Sequence, residues 1–148
     1  MSLRHVAPDF YRALFGLDAA SGVGLEPLLA GLVRVRASQI NHCSFCVDTH
    51  SADAQRAGES ARRLVALSAW RETPFFTARE RAALALAEAV TLLPEAGVPD
   101  TVWDTAADEF GEAELGQLLC LCITINVWNR IGVATRMAPP SADVVDAH

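Results

Sequence analysis

Apolar residues in this chain recur every three or four positions, which is the period of an α-helix. The pattern is clear between residues 25 and 41 and again in the run AALALAEAVTLL, residues 82–93. No stretch alternates Val, Ile or Thr with polar residues over a useful length, as a half-buried β-strand would. The sequence therefore predicts an all-α fold. Its 148 residues fit a single-domain helical bundle that covers residues 1–148.

Local start and stop signals divide the chain into about seven helices. Gly58 is typical of a helix end, and Ser60 is a suitable cap for the helix that follows it. Thr77 and Glu80 have the spacing of a capping box, and Asp100 is a candidate cap further on. The predicted helices span roughly residues 8–16, 25–41, 43–57, 60–70, 77–94, 100–110 and 112–136. The tail, residues 138–148, is predicted to fray.

The charge of the chain argues against several classes of function. Its net charge is −6, and its 12 basic residues are dispersed, with Arg62 and Arg63 as the only adjacent pair. A nucleic-acid-binding protein usually presents a clustered basic face. The first residues lack the long apolar core of a secretory signal. The apolar stretch LLCLCITINVW is interrupted by Asn126 and is expected to be too short to span a bilayer. We therefore expect a cytoplasmic location.

The segment NHCSFCVDTH, residues 41–50, contains two of the four cysteines and two of the four histidines. If a helix begins near Cys43, Cys46 and His50 lie about 300° and about 700° further round, so the three side chains share one face. The first helical turn has unpaired N–H groups and a dipole that favours a negative sulfur, which lowers the pKa of a thiol there. This spacing supplies an activated sulfur, a second sulfur to bond with it, and a proton carrier.

Three interpretations of this segment compete. A redox-active dithiol is favoured, because a Cys-x-x-Cys in an intracellular protein is more often catalytic or metal-binding than a static crosslink. A zinc site would use His42, Cys43, Cys46 and His50. Structural zinc, however, usually takes its ligands from two separated pairs, and the chain has no second pair. Buried packing without chemistry is the third interpretation.

Several residues of the last predicted helix are assigned to packing. Cys120 and Cys122 are interpreted as small apolar residues of the core. Trp128 is expected to pack in the core or at a subunit contact, and lining a pocket is the alternative. Hydrophobic residues make up 51% of the chain, which suggests that other subunits cover part of its apolar surface.

Longer segments resemble a known family. LVRVRASQINHCSFCVDTHSADAQRAGES resembles the signature of the AhpD-like alkylhydroperoxidases, within the carboxymuconolactone decarboxylase superfamily. RETPFFTARERAALALAEAVT and INVWNR resemble segments of one subgroup, so that the resemblance covers roughly residues 8–136. It implies an all-helical fold that assembles as homotrimers or homohexamers. It also implies that a cysteine pair reduces peroxides without a metal or flavin cofactor.

The resemblance also implies roles for individual residues. Cys46 matches the cysteine that attacks the peroxide, and Cys43 matches the one that closes the disulfide. His50 matches the histidine of the proton relay. The electron donor is expected to be a dihydrolipoyl-type carrier, and the protein partner a peroxiredoxin.

The chain departs from the family pattern in its relay. The family has a glutamate at the position held here by Gly31. Glu88, a lone acid in an apolar run, is a candidate replacement, and the alternative places it on the polar stripe of its helix. His42 is a second candidate for part of the relay. Phe45 stands where relatives with peroxidase activity can carry a histidine between the two cysteines.

Two other functions remain open at this point. A carboxymuconolactone decarboxylase-like lyase would use the same fold, but the decarboxylases do not depend on a Cys-x-x-Cys pair. A non-catalytic metal-binding module would bind about one zinc per chain and lose its fold on chelation.

Overall fold

The computed structural model describes residues 1–140, and helices are the only regular secondary structure in that range. The all-α prediction is therefore confirmed. Residues 1–140 contain eight α-helices, and a 3-10 helix at Leu67–Glu72 follows the fifth. They span Leu3–Val6 (α1), Pro8–Ala20 (α2), Pro27–Ile40 (α3), Ser44–Arg56 (α4), Ala61–Ala66 (α5), Ala78–Leu92 (α6), Asp100–Glu109 (α7) and Glu112–Ala134 (α8). Of the tail that is predicted to fray, residues 141–148 lie outside the described residues.

The predicted start signals of two helices are confirmed. The Ser60 hydroxyl accepts a hydrogen bond from the backbone N–H of Arg63 in the first turn of α5. At the start of α6, the Thr77 hydroxyl accepts from the Glu80 N–H, and the Glu80 carboxylate accepts from the Thr77 N–H. Gly58 has a φ of 104° just after α4, a conformation that favours glycine where a helix ends.

Several boundaries differ from the prediction. The sequence did not predict α1. α2 continues through Gly16 to Ala20, since a glycine inside a helix costs only about 1 kcal/mol relative to alanine. The helix predicted after Ser60 is divided into α5 and the 3-10 helix, in which Ala69 has non-helical angles of φ −120° and ψ 32°. Asp100 is the first residue of α7 rather than its cap.

α3 lies at the centre of the bundle, in contact with α4, α6 and α8. Its apolar side chains enter two clusters. One lies between α3, α6, α7 and α8, and the other between α3, α4, α5, the 3-10 helix and α6. Their fully buried members include Leu32, Val33, Val35, Leu67, Leu84, Leu86, Leu118 and Leu121. Each such leucine contributes about 1.5–3 kcal/mol relative to an exposed one, so the clusters hold α3 firmly against its neighbours.

α8 is 23 residues long, and by length and composition alone it is able to cross a membrane. The expectation that this stretch is too short is therefore wrong. The core helix of a soluble protein passes the same test. One face of α8 is buried in the bundle and includes Leu118, Leu121 and Ile125.

A buried polar network ties the end of α3 to α8. The Asn41 amide donates hydrogen bonds to the side-chain oxygens of Asn126 and Asn129, each at 2.9 Å. Asn129 in turn donates to Ser38 Oγ at 2.9 Å, and Asn126 donates to Thr91 Oγ1 at 2.9 Å. Because a buried amide that loses its partner costs about 1–3 kcal/mol, this network fixes the chain just before α4.

Candidate functional site

α4 begins with the Cys-x-x-Cys segment, as the sequence predicts. Cys43 is the N-cap of this helix, and its Sγ accepts a hydrogen bond from the backbone N–H of Cys46 at 3.3 Å. The turn before it passes through His42, whose φ of 55° lies in the left-handed region. The Cys43 N–H donates to the carbonyl oxygen of Ser38 at 3.1 Å. The sulfur of Cys43 thus lies at the positive end of the helix dipole.

Cys43 and Cys46 are joined by a disulfide. Their Cα atoms are 5.3 Å apart, within the usual range for a bonded pair. Both side chains are buried, at 2% and 4% exposure. The prediction that these two sulfurs lie within bonding reach of each other is confirmed.

A cavity of about 290 Å³ lies beside Cys46. Its wall is largely aromatic, because the rings of Tyr11, Phe15 and Trp128 meet edge-on or tilted with centroids 5.5–5.6 Å apart. Trp128 therefore has the alternative role considered for it, which is to line a pocket. The other lining residues are Asp18, Phe45, Thr49, His50 and Met137. An apolar wall with a few polar groups is typical of a small-molecule site.

His50 lies one turn after Cys46 on α4 and lines the same cavity. Its side chain is 21% exposed. Burial and the positive charge of Arg34 lower the pKa of His50, while the negative charges of Asp53 and Asp18 oppose that shift without cancelling it. The imidazole is therefore neutral at neutral pH and is able to accept a proton from a thiol.

A second cavity, of about 370 Å³, shares Asp18 and His50 with the first. Asp53 and Gly31 also line it. Asp53 Oδ2 is 3.9 Å from His50 Nδ1, and Asp18 Oδ1 accepts a hydrogen bond from Trp128 Nε1 at 3.3 Å. Two aspartates thus share this cavity with Gly31, where the resemblance leads one to expect a glutamate.

Close packing of α3 on α4 explains the glycine at position 31. A Cβ built on Gly31 would lie 3.2 Å from the Cβ of Ala54. Carbon atoms in ordinary contact are about 3.5–4.0 Å apart. A side chain at this position would therefore require Ala54 to shift by a few tenths of an ångström.

Glu88 is not a lining residue of either cavity that contains His50. It is buried, so it does not belong to an exposed polar stripe. Its carboxylate accepts hydrogen bonds from Arg36 Nε and Trp70 Nε1, each at 2.8 Å, and from Arg71. Burial alone would raise the pKa of Glu88, but these three donors outweigh it and lower the pKa. Glu88 thus joins α6 to α3 and to the 3-10 helix.

His42 is likewise separated from the cavity beside Cys46. Its side chain is exposed, and it lines an open depression of about 660 Å³ along α4 that does not include either bonded cysteine. Among residues 1–140, no group of three or more His, Cys, Asp or Glu side chains is arranged to hold a metal ion. The four residues that the zinc interpretation requires do not converge in this structure.

Cys120 and Cys122 differ from each other. Cys122 is fully buried, as predicted, and burial raises the pKa of its thiol to about 12. The prediction that Cys120 belongs to the core is wrong, because this residue is exposed. Residues two apart on a helix point about 200° apart, so one face of α8 cannot bury both.

Two aspartates and two of the aromatic residues at this site were not predicted from the sequence. Asp53 had a usable signal, because it follows His50 by three positions on one helix and such residues are neighbours. Asp18, Tyr11 and Phe15 come from α2, far from the motif in sequence. Only tertiary packing brings them to Cys46.

Residues 8–89 match the sequence model of the carboxymuconolactone decarboxylase family. The chain belongs to this family. Within the range matched lie α2 to α4, which contribute the cysteine pair, His50 and Asp18 to the site.

Two relatives are similar to this carboxymuconolactone decarboxylase family member over nearly their whole length. The uncharacterised protein YdfG of Bacillus subtilis (strain 168) is 40% identical over 135 residues, which cover 90% of this chain and 92% of YdfG. A solved structure from Agrobacterium tumefaciens is that of a protein of unknown function described as a candidate antioxidant defence protein AhpD. It has a TM-score of 0.92 and 34% identity, and the match covers 96% of this chain and 98% of that one. The AhpD-like resemblance is therefore confirmed.

A more distant structure shows the same fold. An uncharacterised peroxidase-related protein from Silicibacter sp. TM1040 matches with a TM-score of 0.77 and 22% identity. The match covers 88% of this chain and 70% of that chain.

Proposed function

We propose that this family member is an AhpD-like thiol peroxidase that reduces peroxides through Cys43 and Cys46. One observation carries the proposal. Cys46, which is able to form a disulfide with Cys43, lines an apolar cavity together with His50, whose pKa is lowered by burial and by Arg34. The description of the Agrobacterium relative as a candidate antioxidant defence protein agrees with this function.

In the first step, His50 accepts the proton of the Cys46 thiol, directly or through water. The thiolate attacks the terminal oxygen of a hydroperoxide, so that an S–O bond forms as the O–O bond breaks. The leaving alkoxide takes the proton back from His50. Cys46 is oxidised to a sulfenic acid, and the peroxide is reduced to an alcohol.

In the second step, the sulfur of Cys43 attacks the sulfur of the sulfenic acid. The S–S bond forms, the S–O bond breaks, and the departing hydroxide leaves as water with the proton from Cys43. An external dithiol of the dihydrolipoyl type returns two electrons and two protons and becomes a disulfide itself. The cycle balances without a metal or flavin. A peroxiredoxin is the proposed protein partner, whose disulfide the reduced pair would reduce in turn.

The proposed cycle requires a reducing compartment, so we place it in the cytoplasm. We also propose a homotrimer or homohexamer. Support comes from exposed apolar residues, Phe10, Phe15 and Leu17 on α2 and Ile123 and Val133 on α8, which assembly would cover. Analytical ultracentrifugation of the full chain measures the assembly.

The test of the proposed function is peroxide consumption by the purified protein with dihydrolipoamide as the electron donor. We expect the Cys46→Ser variant to lose consumption, because Cys46 is the one cysteine among the residues that line the cavity beside His50. Cys120→Ser is the matched control and should retain the parent rate. Consumption by Cys46→Ser at the parent rate, or activity that survives full thiol alkylation, would contradict the proposal.

A further inference from the structure

The sulfur of Cys43 lies against a buried glycine of α8. A Cβ built on Gly132 would be 2.7 Å from Cys43 Sγ and 3.5 Å from Cys46 Sγ. Carbon atoms in ordinary contact are about 3.5–4.0 Å apart, and sulfur is larger than carbon. The position of the Cys43 sulfur therefore depends on the absence of a side chain at residue 132, and that of the Cys46 sulfur depends on it much less.

The backbone gives no other reason for this glycine. Gly132 lies inside α8, and its φ is not in the left-handed region that favours glycine. Alanine is normally the better residue in a helix interior. Gly116, in the same helix, provides a contrast, because a Cβ built there would meet no atom within 4 Å.

Other contacts restrict where the Cys43 sulfur is able to move. The Cys43 N–H is bonded to the carbonyl oxygen of Ser38, and Sγ accepts the N–H of Cys46 as the cap of α4. A Cβ at residue 132 would force Sγ to rotate away from α8, which would break the cap and carry the sulfur away from its partner. A free thiol is able to make this rotation, whereas a bonded sulfur is not. The steric penalty therefore falls on the disulfide form.

We propose that Gly132 is a positioning residue that holds the sulfur of Cys43 where it closes the disulfide with Cys46. The step concerned is the second half of the proposed cycle, on which this inference rests. In that step the S–S bond forms, the S–O bond of the sulfenic acid breaks and water leaves. Gly132 does not touch the peroxide, and its effect is confined to closure.

The experiment compares Gly132→Ala with the matched control Gly116→Ala in the full chain. The first measurement is the fraction of disulfide at equilibrium in a series of glutathione buffers, with no peroxide present. An extra methyl group in a tightly packed site is commonly destabilising. We therefore expect the equilibrium constant for disulfide formation in Gly132→Ala to fall at least about tenfold, which corresponds to a change of about 30 mV in reduction potential. Gly116→Ala should match the parent. An unchanged closure constant in Gly132→Ala would overturn the inference.

The second measurement separates this inference from the proposed function. After peroxide treatment, the parent and Gly116→Ala should form the disulfide, whereas Gly132→Ala should accumulate a sulfenic acid on Cys46 that dimedone traps. If the parent does not react with peroxide but the glutathione series still shows the loss, the peroxidase proposal fails and the role of Gly132 stands.

A double-mutant cycle measured by thermal unfolding keeps the inference testable if Gly132→Ala folds poorly. Gly132→Ala should lower the melting temperature in the parent and much less in a Cys43→Ala background, where the clashing sulfur is absent. Partners in direct contact are expected to show this non-additivity. Equal losses in the two backgrounds would show that the glycine acts independently of the Cys43 sulfur, which would overturn the inference.

Discussion

Cys43 and Cys46 stand three positions apart and Cys120 and Cys122 two apart, yet their surroundings have little in common. The first pair lies at the start of α4, beside a cavity that contains His50. The second lies in the middle of α8, where one thiol is exposed and the other is enclosed. The two pairs are both closely spaced in the sequence, but they differ in their place on the helix and in the presence of a nearby histidine, which are the features that control thiol reactivity.

The largest expected contrast between the pairs is in alkylation. The reduced, folded protein treated with iodoacetamide near neutral pH should be modified at Cys46 first. Cys122 should stay unmodified, because a thiol with a pKa of about 12 is ionised in only about one molecule in 10⁵ at that pH. Peptide mass spectrometry measures both sites, and a urea-unfolded sample in which every thiol reacts is the control. Modification of Cys122 ahead of Cys46 would contradict the expected difference in reactivity between the two pairs.

Closure of the disulfide should be the next largest difference. Cys43→Ser is expected to reduce turnover with a dithiol donor at least about a hundredfold, because an attack within one helical turn is replaced by an encounter between molecules. Peroxide should then leave a sulfenic acid on Cys46, detectable as a dimedone adduct. Cys122→Ser, which changes a residue of the other pair, should turn over normally. Equal losses in the two variants would mean that neither reports on disulfide chemistry.

The next expected difference is the pH dependence of Cys46 oxidation, which His50 should control. His50→Asn should slow oxidation of Cys46 about tenfold to a hundredfold, the usual contribution of a general base. Because burial and Arg34 lower the pKa of His50, the parent should keep its rate as the pH falls past the ordinary histidine range. It should lose rate only as the pH falls through the lowered pKa, where the imidazole becomes protonated.

Arg34→Gln removes one cause of that lowered pKa. We therefore expect the acid limb of its rate profile to move to higher pH. Stopped-flow fluorescence, in which the Trp128 ring at the cavity is a natural reporter, measures these profiles. An acid limb that persists in His50→Asn and does not move in Arg34→Gln would show that another group titrates.

The smallest expected effect concerns Asp18, one of the two aspartates whose charge opposes the lowering of the His50 pKa. Asp18→Asn should lower turnover only a few-fold, since loss of the negative charge lowers the pKa of His50 further and makes it a weaker base. Glu88→Gln should leave turnover unchanged but lower the free energy of unfolding by about 1–3 kcal/mol, because it weakens three hydrogen bonds of a buried group. Steady-state assays and denaturant titrations of both variants measure the two effects. The reverse pattern would support a role for Glu88 in the proposed proton transfer.

Local signals in the sequence predicted the features that local chemistry determines. The caps at Ser60 and Thr77 depend on side chains that bond within a few positions, so their spacing was sufficient. The position of His50 one turn after Cys46, beside the same cavity, follows in the same way from helical geometry. The glycine at position 31 was harder to explain from the sequence, because Ala54, which packs against it, belongs to another helix.

Features that depend on distant parts of the chain were not predicted. Asp18 accepts a hydrogen bond from Trp128 across a separation of 110 positions, and no local pattern encodes that contact. The exposure of Cys120 was missed for a related reason. α8 is apolar on nearly every side, so its periodicity does not reveal which face points outward.

Several helices contribute side chains to the wall of the cavity. Tyr11, Phe15 and Asp18 come from α2, a segment of 13 residues near the start of the chain, whereas both sulfurs belong to the α4 motif. α2 thus contributes part of the shape and polarity of the cavity from a segment separate from the one that carries the sulfurs. Exchange of α2 between relatives would therefore change this part of the cavity wall and leave the two sulfurs in place.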